Sequence, residues 1–255
     1  MRNRKNTNVN RLRKTYSFVI LRAVAESTSY TRLLSRFCDG ARNDSLLNPL
    51  ALEKYLQRGT NMGNVESKYD GWLDRHFAGL AGNLTVIELG CGIGDDTSFL
   101  SGTGHTVISC DIDGDRIAIV KEKCPGVTAL EHDLRDPFPF GTASADIVVA
   151  SLCLHFFEEP VLRGILAEIR RVLKKGGTLL CRLNSEKGFK PGVAGETELA
   201  PGLYMTGGGL KQFYNEDRIR AAFSDWDILS IEEYETAKFS KQVILFEIVM
   251  VPGNR

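Results

Sequence analysis

No stretch of the 255-residue sequence is uninterrupted and apolar for anything near the roughly 20 residues that a bilayer-spanning helix requires. No membrane anchor is therefore expected. The six cysteines, Cys38, Cys91, Cys110, Cys124, Cys153 and Cys181, contain no C-x-x-C pair, and none of the four histidines stands at ligand spacing from them. That scarcity excludes a zinc-finger or disulfide framework, and thiols inside apolar strand patterns read as small hydrophobes of a reducing compartment. No metal site is expected. Internal repeats are lacking too, and the one low-complexity hint is Gly207-Gly208-Gly209. "FVILRAVA" is broken by Arg22 and has no convincing cleavage site, so it is no secretory core.

What is present is ordinary in total and uneven in place. Charged residues are 25% and hydrophobic ones 43%, as in a globular chain, and the length suits one large α/β domain with or without an extension. The net charge of zero hides a split: residues 1–60 carry 12 Lys+Arg against 4 Asp+Glu, a net of +8, which leaves 20 against 28, a net of −8, in residues 61–255. Residues 1–61 read as a basic N-terminal extension, either a disordered arm, a transit-like segment, or sequence upstream of a start at Met62. Residues 62–255 read as the functional domain. Its acidic balance argues against a nucleic-acid groove, which depends on clustered Lys and Arg. A cytoplasmic location is expected, with import into an organelle through the basic stretch as the alternative.

From residue 66 strand and helix signals alternate. "KYDGWLDRHFAGLAG" has helical spacing, "LTVIEL" is a buried strand, and a glycine loop leads into a helix through Phe99 and Leu100. "HTVISCDID", "VTALEHD", "ADIVVASLCL" and "TLLCRLNS" are further strands. Helices fall at "DRIAIVKEKC", at "VLRGILAEIRRVLKK" closed by Gly176-Gly177, and at "NEDRIRAAF". The strands "WDILSIEEYE" and "KQVILFEIVMV" end the domain. Such alternation predicts right-handed crossovers and a mainly parallel sheet.

Ligands of open α/β sheets bind at the carboxyl ends of the strands. There the sequence places Gly90, Gly92 and Gly94, then Asp111, then Asp133, then Ser151 and His155. The glycines let backbone N–H groups approach a ligand, and Asp111 is set to accept hydrogen bonds from ribose hydroxyls. A dinucleotide would bring a pyrophosphate to this loop, and its fingerprint wants glycine at the sixth position. Here that position is Asp95, followed by Asp96. Two carboxylates beside a pyrophosphate repel it by several kcal/mol in a low-dielectric cleft. S-adenosyl-L-methionine has no phosphate, and its sulfonium, ammonium and carboxylate leave a net positive charge that these carboxylates favour.

"VIELGCGIGDDT", "SCDID", "EHDLRDPFPF", "ADIVVASLCLHFF" and "LAEIRRVLKKGGTLLCRLNS" together resemble the successive motifs of class I S-adenosylmethionine-dependent methyltransferases, over roughly residues 66 to 251. The resemblance implies a Rossmann-like, seven-stranded, mostly parallel sheet with helices on both faces and an antiparallel last strand. It implies that Glu88 and the loop from Gly90 to Gly94 hold the methionine part, Asp111 the ribose and Asp133 with Leu134 the adenine; Ile112 and Ser151 are further expected cofactor-binding residues. "SLCLHFF" followed by "CRLNS" is similar to a bacterial subgroup near the tellurite and thiopurine methyltransferase-like enzymes, and no substrate is carried over from it.

A sulfonium is already an activated leaving group, so in-line methyl displacement needs alignment and exclusion of water more than covalent help from the protein. An amine or hydroxyl acceptor needs a base, for which His155 is the candidate; a thiolate needs none. Arg182 and Asn184, alternating on the fifth strand, are candidate acceptor contacts, as are Tyr69 and Tyr204. Residues 186 to 209 are long for an internal loop and are expected to be a lid, with Glu196, Glu198 and Tyr204 facing the acceptor and favouring a cationic or polar small molecule. The expected activity is methyl transfer to a small-molecule acceptor. Protein or tRNA methylation and a non-catalytic adenosyl-binding module are the alternatives, and a nicotinamide oxidoreductase is disfavoured by Asp95.

Overall fold

The computed structural model describes residues 69–189, 196–238 and 241–253, which belong to one compact unit. The basic extension with Cys38, the start at Met62 and residues 190–195 of the expected lid lie outside the described residues. In chain order the elements are α1 (Asp74–Phe77), β1 (Thr85–Leu89), α2 (Asp95–Ser101), β2 (Thr106–Asp111), α3 (Gly114–Lys123), β3 (Thr128–Glu131) and β4 (Ala145–Ser151). A 3-10 turn at Leu154–Phe156 precedes α4 (Glu159–Val172) and β5 (Leu173–Asn184). Then come β6 (Thr197–Ala200), β7 (Leu203–Thr206), β8 (Gly209–Gln212), α5 (Glu216–Ala222), β9 (Trp226–Lys238) and β10 (Lys241–Pro252).

Seven strands form one sheet in the order β3-β2-β1-β4-β5-β10-β9. The pairs among β1 to β5 are parallel, whereas β10 is antiparallel to both β5 and β9. This is the Rossmann-like sheet with an inserted antiparallel last strand that the family resemblance implies, and its parallel part is what the strand-helix alternation predicts. Its central strands are apolar because both faces are covered. On one face Ile87, Leu89, Val148, Ala150 and Leu179 join a core with α4 and α5; on the other Val86, Val149 and Leu180 meet α1 and α2. Helix α4 shows the cause locally. Leu162, Ile165, Leu166, Ile169 and Val172 recur at helical spacing and are buried, each gaining about 1.5–3 kcal/mol over an exposed position. The helices that follow β2 and precede β9 start on side-chain caps: Asp113 accepts from the N–H groups of Asp115 and Arg116, and Asn215 from that of Arg218.

Three local expectations need correction. The segment after Tyr69 forms only one helical turn, because the chain enters left-handed backbone at Gly79 and Gly82. Helix α4 stops at Val172 rather than running to Gly176-Gly177. Leu173 is a buried core residue paired with Ala145, so β5 starts there and the glycines fall inside the strand segment. The expected lid is more ordered than a loop: residues 197–212 make a three-stranded antiparallel sheet, β6-β7-β8. It is steadied by Phe189, Tyr204 and Phe213, with the Phe189 and Phe213 rings 4.0 Å apart.

Candidate active site

The carboxyl ends of β1, β2 and β4 meet around the glycine loop. Gly90, Gly92 and Gly94 all take left-handed backbone, with φ of 67°, 57° and 82°. Each has a different reason to lack a side chain. A Cβ on Gly90 would lie 2.5 Å from Cys153 Cβ, and one on Gly94 3.0 Å from Val120 Cγ2. A Cβ on Gly92 would meet nothing within 4 Å, so open space lies beside that peptide. The loop is fixed by Asp111 at the end of β2. Its Oδ2 accepts from Gly92 N at 2.8 Å and its Oδ1 from Asp113 N at 3.0 Å. At the rim, Lys123 Nζ donates to Ile93 O at 3.1 Å.

Glu88 on β1 is buried, and its Oε2 accepts from Thr97 Oγ1 and Ser109 Oγ, both at 2.6 Å. Burial, reinforced by the charge of Asp96, lifts its pKa from 4.5 to about 7. Asp95 and Asp96 open α2 and are buried too, where the helix N-terminus favours negative charge. Asp133, after β3, is buried and held by Arg135 through its backbone N–H and guanidinium, with Arg135 Nη2 2.6 Å from Oδ2. Leu134 packs into the core, while Ile112, next to Asp111, is 49% exposed at the same edge. The structure thus brings Glu88, the three glycines, Asp111 and Ile112 to one edge. Carboxylates and peptide N–H groups beside an open peptide suit a phosphate-free ligand with a positive charge and hydroxyls, as S-adenosyl-L-methionine is.

Arg182 departs from expectation. It was expected to touch the acceptor, yet it is fully buried and its donors are used internally. Nη1 donates to Asp70 Oδ2 at 2.7 Å, Nε and Nη2 donate to Ser151 Oγ at 3.0 and 2.9 Å, and Asp96 Oδ2 lies 3.6 Å from Nη2. Its Cζ stacks 4.3 Å from the Trp72 ring centroid. Burial alone would lower the arginine's pKa, but Asp96, Tyr234 and Asp70 outweigh it and raise it. Arg182 therefore clamps the segment before α1 to the ends of β4 and β5. Ser151 reaches the site edge as its acceptor. Tyr69 stacks on Phe99 at 4.8 Å and donates to Asp74 Oδ1, so it is tied to α1 and α2. Asn184 ends β5, where its carbonyl accepts from Tyr214 N, and Tyr204 sits in the aromatic trio of the small sheet.

After β4 the chain turns through Leu152, a non-glycine residue at φ 56°, a strained conformation that costs about 1–3 kcal/mol. The turn drives Cys153 against the glycine loop, its Sγ 3.2 Å from Leu89 O. Two residues on, His155 is 2% exposed, and burial, with the nearby Lys211 charge, lowers its pKa to about 3. Such an imidazole is neutral at ordinary pH and a weak proton acceptor, so the base role expected for His155 does not suit its surroundings.

Several participants were missed in the sequence. Asp70, Thr97, Ser109 and Lys211 carry no motif of their own. Asp70 precedes the predicted helix, Thr97 follows two aspartates that drew attention to themselves, and Lys211 lies in a stretch read as irregular. Only Ser109, polar within the apolar "TVISC", gave a signal.

Comparison with known proteins agrees with this geometry. Residues 86–177 match the family model "Methyltransferase domain". An uncharacterized methyltransferase of Synechocystis is 34% identical over 92 residues, covering 36% of this chain and 43% of that protein. A tRNA N(3)-cytidine methyltransferase of Danio rerio is 27% identical, covering 58% of this chain and 46% of its own. The chain thus spans less than half the length of these relatives. Among solved structures, the Burkholderia thailandensis 1,6-didemethyltoxoflavin-N1-methyltransferase, with its substrate and S-adenosylhomocysteine bound, superposes with a TM-score of 0.60 at 16% identity, over 80% of this chain and 88% of that one. Family match, strand order and strand-end residues converge: the chain carries a class I S-adenosylmethionine-dependent methyltransferase domain.

Proposed function

We propose that the protein transfers a methyl group from S-adenosyl-L-methionine to a small-molecule acceptor. The observation that carries this reading is the glycine loop running into Asp95 and Asp96, with Glu88 buried behind it and Asp111 bonded to Gly92 N. The cofactor supplies an electrophilic methyl on a sulfonium leaving group. Glu88 and the peptides of Gly90 to Gly94 receive the methionine part, with the carboxylate of Glu88 answering the ammonium. Asp111 accepts from the ribose and Ile112 covers its apolar face, while Asp133 and Leu134 border the adenine. Ser151, held by Arg182, forms the wall toward the methyl group. Arg182 is a positioning residue, and His155 borders the acceptor without removing its proton. Asn184, Tyr204 and Tyr69 flank the acceptor side.

A small molecule is favoured over nucleic acid by the −8 balance of residues 61–255, since a phosphate backbone needs clustered cations. No described helix is long and apolar enough to cross a membrane. A cytoplasmic location fits the free thiols of the five described cysteines, Cys91, Cys110, Cys124, Cys153 and Cys181. The test is radiolabelled methyl transfer into three fractions of a cell extract: small metabolites, tRNA and protein. Label in the metabolite fraction supports the reading. Label confined to tRNA or protein, or saturable cofactor binding with no transfer to any fraction, refutes it.

A further inference from the structure

Just past Cys153, which packs against Gly90, three polar side chains from three separate segments come within electrostatic reach of one another, and none of them belongs to the cofactor site. His155, on the turn after β4, is buried and its Nδ1 has no hydrogen-bond partner among the described residues. Glu196, just before β6, likewise has a buried Oε2 with no partner there. Lys211, on β8, is half-buried, acts electrostatically on both, and holds Nζ 5.6 Å from the Phe156 ring centroid. Phe156 is itself 42% exposed, an apolar face at the rim of the cluster. Buried polar atoms in folded proteins are nearly all satisfied, and orphans cost about 1–3 kcal/mol each. Two orphans around one ammonium point to a ligand that supplies the missing partners.

We propose that His155, Lys211 and Glu196 form the acceptor subsite, and that the acceptor reacts as an oxyanion, a carboxylate or acidic hydroxyl on a flat ring, with an O–H or N–H donor beside it. The proposal rests on the methyl-transfer reading and deepens it. Lys211 and the His155 N–H hold the oxyanion, Glu196 accepts from the neighbouring donor, and Phe156 lies against the ring. The step then balances without a base. A lone pair of the oxyanion forms the O–CH3 bond while the C–S pair returns to sulfur. One negative and one positive charge cancel, and no proton is left to remove. An amine acceptor would instead become a cation next to Lys211 and would need a proton acceptor, a task for which the neutral, buried His155 is unsuited. The positive charge of Lys211 also stabilises the ionised form of an acidic hydroxyl, so that the nucleophile is ready at neutral pH.

The test titrates the full chain, saturated with S-adenosylhomocysteine, with 2-hydroxybenzoate and, separately, with benzylamine. Saturation by S-adenosylhomocysteine is itself the check on the parent reading, because its failure would remove that reading and this one together. Given saturation, 2-hydroxybenzoate should bind to the complex while benzylamine does not compete. Lys211→Met should weaken the acid about tenfold or more, Lys211→Arg should restore most of the affinity, and neither should change the affinity for S-adenosylhomocysteine. Absence of acid binding, preference for benzylamine, or an acid affinity indifferent to Lys211 would overturn the proposal.

Discussion

The proposed pairing of Glu88 with the cofactor ammonium predicts that cofactor binding is proton-linked. Its carboxyl is enclosed on β1, bonded by Thr97 and Ser109, and its pKa lies at about 7 instead of 4.5. A raised carboxyl pKa gives the folded chain stability that is complete below the unfolded value of 4.5 and is lost as pH rises through about 7. The loss amounts to about 3 kcal/mol, since each pKa unit is worth 1.36 kcal/mol. At pH 6.5 about three quarters of the molecules hold the Glu88 proton, and at pH 8 about one tenth do. A ligand whose ammonium pairs with the carboxylate expels that proton. Affinity should therefore rise about fourfold from pH 6.5 to pH 8. Calorimetry with S-adenosylhomocysteine in two buffers of different ionisation enthalpy counts the proton directly: about three quarters of a proton released at pH 6.5 and about one tenth at pH 8. Glu88→Gln should abolish the release, weaken binding at least tenfold and stabilise the unliganded protein at pH 8. Equal affinity at both pH values with no proton released would refute the pairing of Glu88 with the ligand.

Other substitutions separate the scaffold from the site. Gly90→Ala should destabilise by about 2–5 kcal/mol in urea unfolding, from left-handed strain plus the clash with Cys153; a loss under 1 kcal/mol contradicts the packing. Gly92→Ala has room, so it should cost about 1–2 kcal/mol of strain while sharply weakening S-adenosylhomocysteine; undiminished binding would move the ligand away from that peptide. Arg182→Met should cost about 3–5 kcal/mol, because it removes the buried guanidinium that pairs with Asp70 and Asp96. For His155, a pKa lowered to about 3 means stability that is present above pH 6.5 and lost as pH falls toward 3, about 3 kcal/mol by pH 4. His155→Asn should lack that share of the acid loss when unfolding at pH 7 and pH 4 is compared, and an identical loss would contradict a buried neutral imidazole.

The cofactor half was legible in the sequence because its chemistry is written in backbone. Glycines that must take left-handed φ, and acids at strand ends, sit next to one another along the chain, as "ELGCGIGDD" and "SCDID" show. The acceptor half was legible only in outline. Arg182 looked like a substrate contact because strand alternation puts it on a face, and alternation says nothing of which residues from other elements will fill that face. Asp70, Ser151 and Trp72 reach it from positions 112, 31 and 110 residues away. His155 looked like a base because its position was right, but burial, a property of packing, set its protonation. The small sheet at residues 197–212 was hidden because strands of four residues around Gly202 and Gly207-Gly208 give too few alternations to register.

The loop between β1 and α2 is proposed to hold a positively charged nucleoside without phosphate. Calorimetric titration of the purified chain with S-adenosylmethionine, S-adenosylhomocysteine and a nicotinamide dinucleotide tests it in one experiment. Saturable binding of both adenosyl compounds, with no heat from the dinucleotide, is the result predicted. Binding of the dinucleotide with none of the adenosyl compounds would contradict the account.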